Sequence, residues 1–156
     1  MLFLVDGMLG NIAKKLRLFG FDSEYFSDIG DSKLIEKAKN ENRIIISRDR
    51  HLINRAKKNE VLSIYITKEN EIEQFLEILE TMNLQLNGIS GDVARCTKCN
   101  STTSQISKLK IGNKIPQEVL EFNDKFWKCD KCEQIYWEGT HIKNLQKFVH
   151  KINLNS

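Results

Sequence analysis

Two groups of residues have types and spacings that could do chemistry. Cys96 and Cys99, then Cys129 and Cys132, form two CxxC pairs. Four thiolates so arranged make a natural tetrahedral cage for zinc. With four sulfur ligands the cage is closed, so this zinc would organise folding and carry out no reaction. Two disulfides would need an oxidising compartment, and a redox CxxC needs only one pair in a thioredoxin-like setting.

The second group is acidic. Asp6 follows the apolar run "LFLV", Asp31 opens "DSKLIEKAKNEN", and Asp49 follows "RIIIS". Aspartate is a favoured helix cap, and capping accounts for any one of these residues taken singly. All three, however, fall at the carboxyl ends of strands, the rim where open α/β sheets bind ligands. Ionised carboxylates crowded on one rim repel one another unless a cation sits among them, and hard oxygen ligands suit Mg²⁺ or Mn²⁺. A metal so held can activate water and stabilise charge on a phosphodiester. Arg48 and Arg50 flank Asp49, and with Arg17 they could bind phosphate oxygens through their planar forks. A solvated surface or a structural ion pair is the competing reading for each arginine.

The elements that must position these residues alternate. "LFLV" reads as a strand, and "MLGNIAKKLRLFG" as a helix with Met8, Ile12, Leu16 and Phe19 at helical spacing and Gly20 as its stop. "DSEYF", "RIIIS" and "VLSIYI" read as further strands; "DSKLIEKAKNEN", "DRHLINRAKKN" and "ENEIEQFLEILETM" read as further helices. Strands alternating with helices predict a doubly wound parallel α/β sheet. Periodicity is lost over 83–94, a stretch with two glycines, which predicts one domain over 1–90 and a small zinc ribbon over 91–156. Between the cysteine pairs, "QISKLKI" reads as a strand and "PQEVLEF" as a helical turn. Knuckles of this kind need positive φ just after the second cysteine; Asn100 tolerates that geometry and Glu133 fits it less well.

Charge is uneven. Residues 1–92 carry 13 Lys and Arg against 15 Asp and Glu, and residues 93–156 carry 11 against 6. The second part is therefore the better candidate for meeting a polyanion. No window approaches the ~20 apolar residues of a membrane helix, and the start "MLFLV" lacks the basic leader of a signal peptide. A cytoplasmic protein is expected.

The stretches "FLVDGMLGNIAKKLRLFGFDSEY", "DSKLIEKAKNENRIIISRDRHL" and "FWKCDKCEQIYWEGTH" resemble the Mut-seven C-terminal RNase family, a branch of the PIN-like nucleases, from about residue 3 to 142. The resemblance implies a PIN-like α/β fold followed by a zinc ribbon, and a carboxylate-bound metal that hydrolyses RNA. Position by position it implies that Asp6, Asp31 and Asp49 are the catalytic acids, with Arg48 and Arg50 in the segment "SRDR". A fourth acid of the wider PIN group has no clear match after "VLSIYI"; Glu36 and Asp28 rank below the three aspartates. Phe126, Trp127, Tyr136 and Trp137 lie among Lys125, Lys128 and Lys131, where aromatics could stack on RNA bases or form a small core against the metal. The alternative function is a non-catalytic RNA-binding adaptor that uses the zinc ribbon. A dehalogenase-like phosphatase is disfavoured, because its second acid would fall at Met8.

Overall fold

The computed structural model describes residues 1–86 and 88–154. They divide into two compact units, residues 1–16 with 21–85, and residues 17–20 with those from 86 onward.

The first unit is a parallel four-stranded sheet flanked by helices. Strands β1 (Leu2–Val5), β2 (Asp22–Tyr25), β3 (Ile44–Ser47) and β4 (Ser63–Tyr65) lie in the order β2-β1-β3-β4. Helices α1 (Gly10–Leu18), α2 (Asp31–Glu41), α3 (Arg50–Lys58) and α4 (Glu71–Thr81) alternate with or follow them. The central strands are the apolar ones: Phe3, Leu4, Val5, Ile45 and Ile46 are all fully buried, as expected for strands covered on both faces. Leu4 and Ile45 pack on one face with Leu34, Ile35 and Ala38 of α2 and Leu52, Ile53 and Ala56 of α3. Alternation turns Phe3, Val5 and Ile46 to the other face, the side of α1 and α4, which the Lys15–Glu71 ion pair joins at 2.8 Å. The chain runs from β1 outward to β2, then returns to place β3 on the other side of β1. The topological switch therefore lies between β1 and β3.

One buried cation ties the opposite ends of these strands together. Arg43, 7% exposed, donates from Nε to Glu41 at 2.8 Å and from Nη1 to the Asp22 carboxylate at 2.9 Å and the Phe3 carbonyl at 3.0 Å. Burial works against its charge, but Glu41 and Asp22 outweigh that cost. Lys37 and Arg43 in turn hold the Glu41 carboxyl below its ordinary value of 4.5.

The second unit holds an antiparallel sheet, β5 (Thr103–Ile106), β6 (Phe126–Cys129) and β7 (Ile135–Tyr136), in the order β5-β6-β7. Helix α5 spans Gln117–Phe122 and α6 spans Thr140–Leu154. The strand expected over "QISKLKI" stops at Ile106; Ser107 then caps a 3-10 turn over Lys108–Lys110 by accepting from Leu109 N. Helix α6 was not expected, although Ile142, Leu145, Val149 and Ile152 recur at helical spacing. It is anchored by Val149, 2% exposed, by Gln146 donating to the Ile89 carbonyl and by Asn153 donating to the Leu86 carbonyl.

The aromatics near the second cysteine pair form a core. Phe126 is fully buried with Ile111 and Ile135, and Trp127 is 2% exposed. The indole of Trp127 donates to Asp92 at 2.9 Å and lies so close to Gly91 that no Cβ fits there. Neither ring is available to stack on a base. No helix among the described residues is long and apolar enough to cross a membrane.

Arg43 generates a prediction. Replacing it with Met keeps the aliphatic stem and removes three hydrogen bonds, while the partly exposed acids regain water. The expected loss is about 2 kcal/mol, read from the urea midpoint. Because Glu41 titrates low in the folded protein, its share of this difference is complete above pH 4.5 and declines as pH falls through its depressed folded value.

Candidate functional site

The four cysteines converge. Cys96 Sγ lies 3.6 Å from Cys132 Sγ, Cys99 Sγ lies 3.4 Å from Cys129 Sγ, and all four sulfurs are within 4.8 Å of one another. A disulfide would bring sulfurs to ~2.05 Å, whereas four sulfurs around zinc at ~2.3 Å stand roughly 3.8 Å apart. All four cysteines are free, and the set can hold a metal ion such as zinc. The knuckles fold as their sequence requires: Asn100 and Glu133, each just after the second cysteine of its pair, adopt φ of 70° and 66°. Asparagine visits this region readily; Glu133 does so at a cost of about 1 kcal/mol.

Electrostatics favour a cation in this cage. Burial works against the Cys99 thiolate, yet hydrogen bonds from Ser101 and from the Cys129 and Cys132 thiols bring it down to about 6. A backbone hydrogen bond at Gln134 favours the Cys132 thiolate, but burial and the bonds it donates to the other sulfurs push it up to about 12. The Cys99 and Cys132 thiols are thus pushed in opposite directions within one cluster, and a bound dication would favour the thiolate form of its ligands. The Tyr136 hydroxyl lies 2.8 Å from Cys96 Sγ, fixing the sulfur from outside the cage; burial and this bond push Tyr136 up to about 12.

The acidic rim is built by the first unit. Asp6 ends β1 and caps a 3-10 turn over Gly7–Leu9, its Oδ1 accepting from Gly7 N at 2.7 Å. Asp49 caps α3, its Oδ1 accepting from His51 N at 2.9 Å and Leu52 N at 3.4 Å. Between them stands Ser47, fully buried at the end of β3. Its hydroxyl donates to Asp6 Oδ2 at 2.7 Å and accepts from Asp49 N at 2.9 Å. Asp6 and Asp49 are thus linked through one side chain, which the sequence reading passed over. The readable signal was its place at the end of an apolar strand, two residues before an acid.

Asp31 is placed differently. It is the first residue of α2 rather than its cap, which is Gly30, and its carboxylate lies 3.8 Å from Arg55. Among the described residues, the cysteines are the one group of three or more His, Cys, Asp and Glu side chains that converge as metal ligands. The three carboxylates do not close on a point, because two are turned to backbone N–H groups and the third towards Arg55. Each still has lone pairs to spare.

The arginines diverge. Arg48 lines a cleft of about 440 Å³ with Met8, Asn11, Tyr25, Glu69 and Gln74. The Arg50 guanidinium sits 4.8 Å over the Tyr65 ring. Arg17 is 5% exposed and donates to the Thr97 carbonyl at 2.7 Å within the second unit. Its fork faces protein, not solvent, and supports the first cysteine knuckle. Glu36 and Asp28 are exposed.

The cage gives a direct expectation. Purified protein should carry about one zinc per chain by elemental analysis, and Cys99→Ser should lose it. Zinc release should become easier as pH falls, because each ligand must be deprotonated. Both tryptophans, Trp127 and Trp137, lie in the second unit, so a red shift of tryptophan emission on chelation reports loosening of this unit.

The chain matches the family profile described as Mut7-C RNAse domain over residues 1–149 of its 156. No curated protein and no solved structure matches it. A match of that extent spans both the carboxylate rim and the cysteine cage, and the chain belongs to the Mut7-C RNAse domain family.

Proposed function

We propose that this protein hydrolyses RNA phosphodiester bonds with a divalent cation, Mg²⁺ or Mn²⁺, held at the carboxyl ends of β1 and β3. The observation that carries this reading is the linkage of Asp6 and Asp49 through the Ser47 hydroxyl at the β1–β3 switch. In this reading Asp6 and Asp49 supply the main oxygen ligands, and Asp31 supplies a third from the start of α2. Such a cation, when bound, lowers the pKa of water and offsets charge on the reacting phosphate.

The chain's own residues do the rest. Ser47 fixes the Asp6 carboxylate and the backbone that bears Asp49, so neither must be ordered when substrate arrives. Arg48 faces a cleft that begins beside Asp6 and is placed to bind a phosphate oxygen from that side. Arg50, redirected by the turn into α3 and held on Tyr65, serves the other side of the rim. The cage of four cysteines stays closed to substrate and holds the second unit in shape around zinc.

The experiment is cleavage of a labelled single-stranded RNA by zinc-loaded protein with Mn²⁺ or Mg²⁺, beside Asp49→Asn of equal zinc content and equal circular dichroism. Activity should require the added divalent ion and fall at least 100-fold in the variant. Equal cutting by both proteins, or cutting without a divalent ion, overturns the reading. If neither cuts and both bind RNA equally, the protein is an RNA-binding adaptor and the aspartates are caps.

A further inference from the structure

Helix α6 carries one feature that neither the cysteine cage nor the acidic rim uses. Its fifteen residues, "THIKNLQKFVHKINL", contain no acid, and Lys143, Lys147 and Lys151 follow one another at i, i+4 and i+8. All three are exposed. At 100° per residue they fall on the side of the helix opposite Val149, the residue that anchors it. None of the three has an ion-pair partner among the described residues. Residues 93–156 hold five more basic than acidic side chains, 11 against 6, and three of that excess stand on this one face.

A solvated surface helix ordinarily mixes both signs, since i,i+4 pairs of opposite charge stabilise it. Here the i,i+4 neighbours are alike, which costs helix stability and suits a polyanion. The three ammonium groups span about 12 Å of helix axis. A nucleic-acid strand presents a phosphate every ~3.4 Å of duplex axis and somewhat further apart when stretched as a single strand. Each lysine therefore has a phosphate within reach of its four-carbon stem. Lysine binds phosphate as a compact point charge with rotatable donors, with no demand on base identity.

We propose that the Lys143, Lys147 and Lys151 face of α6 is a sequence-independent binding surface for the RNA phosphate backbone. It takes over the role that the buried Phe126 and Trp127 cannot fill. The assignment rests on RNA being the substrate, and it does not depend on which residues cut.

The test measures binding rather than cleavage. In an Asp49→Asn background, which keeps the probe intact, the affinity for a fluorescein-labelled single-stranded RNA is measured by anisotropy across a series of KCl concentrations. Replacing all three lysines by Gln should weaken binding roughly tenfold at low salt and flatten the plot of log affinity against log salt by about 2, from three lost contacts at ~0.7 each. The Lys→Arg triple should retain both the affinity and the slope. A control that removes the same charge from the first unit, Lys33, Lys57 and Lys58→Gln, should change the slope by less than half as much. An unchanged slope in the α6 triple overturns the proposal, and so does an equal loss in the control, because either outcome makes the helix one more source of diffuse charge. Cleavage by the protein that retains Asp49 is scored separately. Loss of the slope without any cleavage sinks the nuclease reading alone, whereas full cleavage with an unchanged slope sinks this one alone.

Discussion

The candidate site depends on one hydroxyl. Ser47 sits fully buried at the end of β3 and joins two strands' worth of chemistry, donating to Asp6 from β1 and accepting from the backbone that carries Asp49. A buried hydroxyl must find partners or cost free energy. Ser47 finds both of its partners on the rim of the sheet. For it to do so, β1 and β3 must be neighbours in parallel register, with Phe3, Leu4 and Val5 beside Ile44, Ile45 and Ile46. The long apolar faces that make those strands central therefore also set the separation of the two acids. Packing and chemistry meet at this residue.

The two faces of the sheet then take different tasks. Arg48, just past the end of β3, lines a cleft on the α1 and α4 side, whereas the chain turns into α3 at Arg50 and leaves that guanidinium over Tyr65 on the α2 and α3 side. Asp31 and Arg55 belong to that second side, where α2 and α3 meet. The cleft beside Arg48 is polar and open, with Glu71 already neutralised by Lys15. A chain ending its apolar strand with one carboxylate between two guanidinium groups thus offers a cationic group to each face and an acid to the rim between them.

Most of the fold was legible because its signals are local. The apolar runs at Leu2–Val5 and Ile44–Ser47 and the helical spacing through α2, α3 and α4 name their elements without knowledge of the partners. The CxxC pairs are legible for the same reason: the two cysteines of each knuckle are close in sequence, and the four sulfurs converge to within 4.8 Å of one another, as a shared metal ion would require. What was not legible depends on tertiary contact. Ser47 looks like any strand-ending serine until β1 is placed beside it. Arg17 looks like a phosphate fork until its helix end is placed against the Thr97 carbonyl. Helix α6 lies inside the zinc ribbon expected over 91–156, but the partners that anchor it, the Ile89 and Leu86 carbonyls, are more than fifty residues away in sequence. The aromatics Phe126 and Trp127 resolved towards packing, since a unit this small has little else to bury.

The proposed reaction rests on a divalent cation site at Asp6 and Asp49, braced by Ser47. It is tested most directly by titrating the zinc-loaded protein with Mn²⁺ and following free Mn²⁺ by electron paramagnetic resonance, in the original chain and in Asp6→Asn, Asp49→Asn and Ser47→Ala. Binding is expected in the original chain, with near loss in either Asn variant and an affinity lowered about 10-fold to 100-fold in Ser47→Ala, which removes a group that orients a ligand without being one. Binding that is equal in all four proteins, or no binding in the original chain, would contradict it and return the two aspartates to the role of helix caps.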